Sequence, residues 1–295
     1  MGHFDTGHPV DGSSGSGNSR ALPINDTFFR RWRTIISLHT TAKFYRRQGL
    51  CTPISKNKIV KHRGFVDLTE AATMKFVAEN TSLPVPKVYC SFVHKGDTYI
   101  VMQRIRGDLI PHVWKQLGEE GRRKIFEQLR LMIRELRSLK PPPGMGVASS
   151  EGGSLCDCRI ARPGLRRFGP FKTIQAFHLW LREELKPTEE QDYKCTDQEW
   201  QDIQQMAAKQ DGPWPPPVFT HADLNASNIL VRNGDVVGLI DWEFSGWYPH
   251  YWEYTAAWYG ALTRTGWRDI LEKFLDPYPE ELQMEIVRQK WWGEY

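Results

Sequence analysis

The sequence predicts an α+β chain in two lobes: a small antiparallel-sheet lobe with one helix, then a larger, mainly helical lobe. Three observations carry this. Apolar runs of strand length at 50–61, Val88 to Phe92 and Thr98 to Met102 flank a single helical stretch at 68–80. From about residue 104 the apolar residues recur at helical spacing. Within that helical half one hairpin stands out, where Asn233-Gly234 separates Ile229-Leu230-Val231 from Val236-Val237-Gly238-Leu239-Ile240. The chain divides accordingly into a tail at 1–24, a first lobe at 25–103 and a second at 104–295.

The elements follow in order. The first twenty residues are rich in Gly, Ser, His and Asp and are expected to be disordered. Residues 26–47 read as an amphipathic helix capped by Asp26, with Phe28, Phe29, Trp32, Ile35 and Ile36 as its packing face. After the strand material at 50–61 comes the helix at 68–80, with Ala71, Ala72, Phe76 and Val77 inward. The next two strands join through His94-Lys95-Gly96-Asp97. Gly118 to Lys140 is a long helix with Ile125, Leu129, Met132, Ile133, Leu136 and Leu139 at core spacing, stopped by Pro141-Pro142-Pro143. The loop at 141–168 is long for a connection inside a domain, and such loops are often functional. Helices at 173–186 and 196–210, a strand at Val218-Phe219 and a helical stretch at 251–290 complete the chain.

Bulk properties narrow the classes. With 295 residues, 40% hydrophobic and 25% charged, the chain buries a sizeable core. No run approaches the length of a transmembrane helix, and the first residues hold no apolar signal core. Met1-Gly2-His3-Phe4-Asp5-Thr6 fits a myristoylation pattern only formally, and one acyl chain anchors marginally. Five scattered cysteines (Cys51, Cys90, Cys156, Cys158, Cys195) imply no disulfide framework and suit a cytoplasmic protein. Cys156-Asp157-Cys158 lacks the second pair a zinc site needs. The densest basic patch, Arg162, Arg166, Arg167 and Lys172, reads as a solvated loop or a seat for an anionic group, without the interleaved aromatics of a nucleic-acid surface. Neither a membrane, a nucleic acid nor an obligate protein partner is expected. Trp242, Trp247, Trp252, Trp258 and Trp267 crowd the region after the hairpin and are expected to fill a core. Glu243 and Glu253 there suit either a ligand contact or a brace of the loop.

The chemistry concentrates in His221-Ala222-Asp223-Leu224-Asn225-Ala226-Ser227-Asn228, followed by Ile240-Asp241-Trp242-Glu243. Phosphoryl transfer asks little covalent chemistry of a protein: it needs a base or orienting group at the acceptor and oxygen ligands for Mg2+. Asp223 supplies the first, and Asn228 and Asp241 the second. A two-residue turn at 233–234 pairs Arg232 with Asp235, so Asn228 and Asp241 meet at the open end of the ladder.

These residues resemble the family of aminoglycoside phosphotransferases and choline kinases, which has a two-lobed, protein-kinase-like fold. The resemblance rests on His-x-Asp-x4-Asn, the hairpin and Ile-Asp-Trp-Glu, and extends upstream to 81–89 and to Tyr99-Ile100-Val101-Met102-Gln103-Arg104-Ile105-Arg106-Gly107. Gly169-Pro170-Phe171 and Tyr248-Pro249-His250-Tyr251-Trp252-Glu253-Tyr254 look like its fungal members. The resemblance implies an ATP-dependent, Mg2+-dependent kinase acting on a hydroxyl of a small molecule. Asp223 is then the base or orienting group, and Asn228 and Asp241 hold Mg2+. Lys61 contacts the nucleotide phosphates, Glu70 pairs with Lys61, and the hinge backbone from Gln103 to Ile105 meets the adenine. His221 braces the catalytic loop. Independently of the resemblance, the length of the 141–168 loop suggests that it lies near the acceptor.

Departures are visible too. No Gly-x-Gly-x-x-Gly loop precedes Lys61, and Lys56 and Lys58 stand close to it; strand alternation favours Lys61, which shares a face with Ile59. Asp67-Leu68-Thr69-Glu70 has capping-box spacing, a rival role for Glu70. A nucleotide-binding but inactive scaffold is an alternative that the missing loop favours. A protein kinase is a lesser one: Asn225 stands where protein kinases carry Lys, only 54 residues follow Asp241, and no Ala-Pro-Glu triplet occurs.

Overall fold

Alternation of side chains across the pleat builds the small lobe around one sheet. In the computed structural model, which describes residues 19–63, 66–160, 166–186, 195–260 and 266–293, four antiparallel strands lie in the order β1-β2-β4-β3. They are β1 (Cys51–Pro53), β2 (Lys58–Arg63), β3 (Val88–His94) and β4 (Asp97–Gln103). The strand material expected at 50–61 forms two strands, because Ile54 and Ser55 turn back to donate to the Lys58 carbonyl. Lys95 and Gly96 both take positive φ, the geometry of a tight β3–β4 hairpin. Ile59, Ile100 and Met102 fall in one core cluster; Val60, Cys90, Phe92 and Val101 fall in another.

A helix covers each face. Helix α1 (Phe28–His39) and the 3-10 turn Thr41–Phe44 lie over the second face, with Leu38, Ala42 and the Arg31 guanidinium against it. Helix α2 (Leu68–Asn80) covers the first, through Ala71, Met74 and Val77. Its N-cap is Asp67, which accepts from Thr69 N at 2.8 Å.

Helix α1 corrects the sequence in three ways. It ends at His39, where Thr40 leaves helical geometry, not at 47. Thr27 is the N-cap, because Asp26 is taken by an ion pair with Arg31. Its apolar stripe does not pack: Phe28, Phe29, Trp32 and Ile36 are exposed, and the buried residue of the helix is Thr34. The tail also ends earlier than expected. Ala21 is buried, and Ile24 exchanges backbone hydrogen bonds with Ser91 (3.2 and 2.9 Å). Residues 1–18, expected to be disordered, lie outside the described residues, as does Arg162.

The large lobe begins with β5 (Asp108–Leu109), α3 (Ile110–Val113) and α4 (Glu119–Ser138). Ile125, Leu129, Ile133 and Leu136 of α4 are buried at the expected spacing. Then come α5 (Ile174–Leu181), α6 (Asp197–Asp211), β6 (Val218–Thr220), β7 (Ile229–Arg232), β8 (Asp235–Leu239), β9 (Gly246–Tyr248), α7 (Trp252–Gly260) and α8 (Pro279–Trp292). Strands pair as β5-β7-β8 and as β6-β9. Trp242, Trp247, Trp252 and Trp267 are buried, as core residues should be.

The described residues of the 141–168 segment, 141–160 and 166–168, are not a loose loop. Val147 and Phe171 exchange backbone hydrogen bonds, as do Ala148 and Trp247, and Leu155 and Phe168. Gly246 permits this approach: a Cβ there would lie 2.5 Å from Leu155 Cδ2 and 2.6 Å from the Ala148 carbonyl. The strap so formed reaches both lobes. Arg167 donates to the Ser154 carbonyl (2.6 Å) and Thr69 Oγ1 (3.1 Å), and lies 3.2 Å from the Asp67 carboxylate at the start of α2.

Candidate active site

The hairpin sets the site. Asn233 and Gly234 take φ of 54° and 80°, so β7 and β8 close with Arg232 opposite Asp235 and Ile229 opposite Leu239. Ile240 N then donates to the Asn228 carbonyl at 3.0 Å, which ties the two ends of the hairpin together. One residue beyond, Asp241 sits at φ 68°.

The loop before β7 is held by its neighbours. Asn228 Nδ2 donates to the Asp223 carboxylate at 2.7 Å and to its carbonyl at 2.8 Å. His221 Nδ1 accepts from Asp223 N at 3.3 Å, so its proton is on Nε2, which faces the Ile240 carbonyl at 3.1 Å. Burial lowers the His221 pKa and keeps this tautomer neutral. Glu253 accepts from His221 N (2.7 Å) and Ala222 N (3.1 Å), so of its two expected roles it takes that of a brace. Ala222 needs that brace, since it holds φ 64°, a region that costs a residue with a Cβ about 1–2 kcal/mol. Arg159, on the strap, grips the same turn: it donates to the Ala222 carbonyl, to the Ala256 carbonyl (2.9 Å) and to both oxygens of Asp157 (2.8 and 2.6 Å). Burial raises the Asp223 pKa above the ordinary aspartate value, and Arg159 pulls against it.

From the small lobe comes Lys61, opposite Ile100 on β4 and almost wholly buried. Its ammonium lies 2.6 Å from Asp241 Oδ1, 2.9 Å from Glu70 Oε2 and 3.2 Å from Glu243 Oε2. Burial alone would lower the Lys61 pKa; the three carboxylates outweigh it and hold the lysine charged. Burial pushes Glu70 up, to about 7, with Lys61 opposing. Glu70 therefore faces lysine, not the helix backbone, and Asp67 alone supplies the cap. Lys58, the rival lysine, sits over the Tyr89 ring at 4.8 Å.

Of the sequence candidates, Lys61, Glu70 and Asp241 converge directly, and Asp223 and Asn228 join them through the hairpin ends. The hinge stands apart. Gln103 and Ile105 line an open cavity of about 520 Å³ with Asn57, Tyr89, Arg104 and Arg232, and none of the other five candidates lines it. Gln103 N donates to the Lys87 carbonyl (2.9 Å) and Arg104 N to that of Asn57 (3.0 Å). Where a glycine-rich flap would stand, Gln48 and Cys51 close a tight turn with reciprocal backbone bonds of 2.9 and 2.8 Å. Sequence reasoning missed Arg159; its one signal was an Asp-x-Arg inside a segment too long to be a mere connection.

A small sheet lobe and a larger helical lobe that meet at Lys61 and Asp241 make a two-lobed, protein-kinase-like fold. The chain belongs to the phosphotransferase enzyme family, matching it over residues 68–285. No curated protein matches the chain. Solved structures do. The chain is similar to a thermostable mutant of aminoglycoside phosphotransferase APH(4)-Ia in ternary complex with AMP-PNP and hygromycin B, at 13% identity and a TM-score of 0.57, over 81% of this chain and 78% of that one. It is similar to the apo form of a thermostable mutant of the same enzyme at 15% identity and a TM-score of 0.53, over 81% and 79%. The gentamicin complex of APH(2")-IIa aligns at 15% identity and a TM-score of 0.50, over 90% and 86%.

Proposed function

We propose that the protein transfers the γ-phosphate of ATP to a hydroxyl of a small molecule. One observation carries this: Lys61 and Asp241, 180 positions apart, meet at 2.6 Å across the lobes, beside a loop on which Asn228 holds the Asp223 carboxylate. Asp223 accepts the proton of the attacking hydroxyl as its oxygen bonds to the γ-phosphorus. The bond from that phosphorus to the bridging oxygen breaks, and ADP leaves. A raised Asp223 pKa suits a base. Lys61 holds the phosphates and Glu70 holds Lys61. The lobes divide near 103–104, and the hinge from Gln103 to Ile105 takes the adenine. Lys58 pairs with Gln103, so Lys61 lies three residues, about 10 Å, along β2 from the hinge.

The donor set fits Mg2+. Carboxylate oxygens of Glu70, Asp241 and Glu243 lie within 4.8 Å of one another, and three carboxylates face one ammonium, leaving negative charge for a hard cation. Asp241 and the Asn228 carboxamide oxygen would hold it, because the Asn228 nitrogen is taken by Asp223. Mg2+ bound there neutralises charge on the phosphate oxygens.

A second reading, a nucleotide-binding scaffold without turnover, is favoured by the tight Gln48–Cys51 turn. One experiment separates them: ADP release from Mg-ATP across a library of hydroxylated metabolites, for wild type and Asp223→Asn. The expected result is turnover with one compound class and a loss of about 10²- to 10⁴-fold in kcat in the variant, at near-normal nucleotide affinity. Turnover within a few-fold of wild type would remove Asp223 from its role. Mg-ATP binding with no turnover on any compound would establish the scaffold.

A further inference from the structure

Helix α1 carries four large exposed hydrophobic side chains: Phe29 is 82% exposed, Phe28 67%, Ile36 55% and Trp32 48%. They form one stripe, since 28, 32 and 36 follow at i+4 and Phe29 lies beside them; the Phe28 ring sits 5.8 Å from Phe29 and 5.9 Å from Trp32. The inner face of the helix is already committed. Arg31 lies over Phe92, Thr34 Oγ1 donates to the Arg30 carbonyl at 2.8 Å, and Leu38 packs on the sheet. The stripe is thus turned outward by the packing of the helix, and rolling it inward would expel Arg31 from its pair with Asp26.

Charge says what covers it. Between residues 19 and 47 stand seven basic residues and a single acidic one, Asp26, already paired with Arg31. That surplus exceeds the net +4 of the whole chain, so the rest of the protein is net acidic. Arg33 flanks the stripe on the helix, and Lys43, Arg46 and Arg47 follow it, all four exposed; Arg30 lies towards the sheet, its guanidinium donating to the Asn25 (3.4 Å) and Tyr89 (3.2 Å) carbonyls. Aromatic and aliphatic side chains rimmed by cations are what the boundary between anionic headgroups and acyl chains accepts. A second copy is the poorer occupant, because a two-fold interface would set this cationic patch against itself. We propose that α1 docks the protein onto an anionic lipid surface, aromatic stripe inward and arginines at the headgroups. No described helix is long and apolar enough to cross a membrane, so this is docking at the interface. The face of the sheet under α1 is the one opposite Lys61, so docking leaves the opening between the lobes uncovered. This proposal does not depend on the phosphotransfer reading.

The test is co-sedimentation of the full chain with vesicles of phosphatidylcholine alone and with added phosphatidylserine. Binding is expected to the anionic vesicles and to fall with salt. Arg33→Gln with Arg46→Gln is expected to weaken partition roughly 25-fold, about five-fold per arginine. Phe29→Ala with Trp32→Ala is expected to weaken it at least ten-fold at unchanged Tm. If those substitutions lower Tm, the arginine pair decides. Equal binding to neutral and anionic vesicles, or variants that bind like wild type, would overturn the proposal. So would a dimer that the aromatic variant disperses and anionic vesicles do not.

Discussion

Two residues at the site sit where L side chains rarely go. Ala222 (φ 64°) lies in the loop before β7 and Asp241 (φ 68°) at the hairpin end, and each is held by its neighbours: Glu253 and Arg159 for Ala222, Lys61 for Asp241. Strain of this kind persists where the surroundings over-determine it, and it aims side chains that regular structure would not. The motif named Asp223, Asn228 and Asp241, because Asn233-Gly234 fixes the register that brings them together. It could not name Arg159 or settle Glu253 as a brace, since both act through contacts more than 30 positions away. Replacing Asp241 by Ala is expected to abolish Mg2+-dependent ATP binding, because the proposed function has this carboxylate hold the divalent ion between the phosphates. Calorimetric titration with ATP, with and without Mg2+, checks it; unchanged Mg-ATP affinity would rule the assignment out.

At the scale of elements, the strap between α4 and α5 contacts both lobes through its described residues. Arg159 holds the turn before Asp223, and Arg167 holds the N-terminus of the helix that carries Glu70. Thr73 of that helix also meets Ser150 of the strap at 3.3 Å. The basic patch seen in the sequence is therefore in part a clamp between lobes. Arg167→Ala is expected to loosen α2 and raise KM for ATP several-fold with a smaller change in kcat. Arg167→Lys, which keeps the charge but not the fork of donors, should recover only part of the loss. Initial rates against ATP concentration measure the split, and a variant with wild-type KM would show that α2 needs no such hold. The hairpin and α4 were legible in the sequence because turn chemistry and 3.6-residue periodicity are local. Helix α1 was legible as a helix, but its orientation was not: the periodicity marks an apolar stripe without saying which way it faces.

At the scale of the whole molecule, one buried histidine should weaken the fold in acid. His178 is fully buried, with Nδ1 3.2 Å from the Gln210 carbonyl and Nε2 2.8 Å from Tyr251 Oη, joining α5 to α6 and the start of α7. Burial, the dominant cause, lowers its pKa from 6.5 to about 3. A base depressed on folding contributes stability that is whole above its unfolded pKa and lost as pH falls towards the folded one. The window here runs from 6.5 to about 3, and the loss reaches about 5 kcal/mol at its acid end. Tm measured from pH 7 to 4 should fall steeply in wild type and less steeply in His178→Phe, whatever that variant loses at neutral pH; parallel slopes would assign acid sensitivity elsewhere. The sequence alone determined the two-lobed α+β order, the hairpin and the cluster of Asp223, Asn228 and Asp241, because local periodicity, turn geometry and short spacing specify them. Only the tertiary structure decided that Glu70 faces Lys61 instead of capping its helix, that the strap clamps both lobes, and that the aromatic face of α1 looks outward. Each of those depends on which surfaces meet across the fold, and that is set by the sum of all packing and not by any one segment.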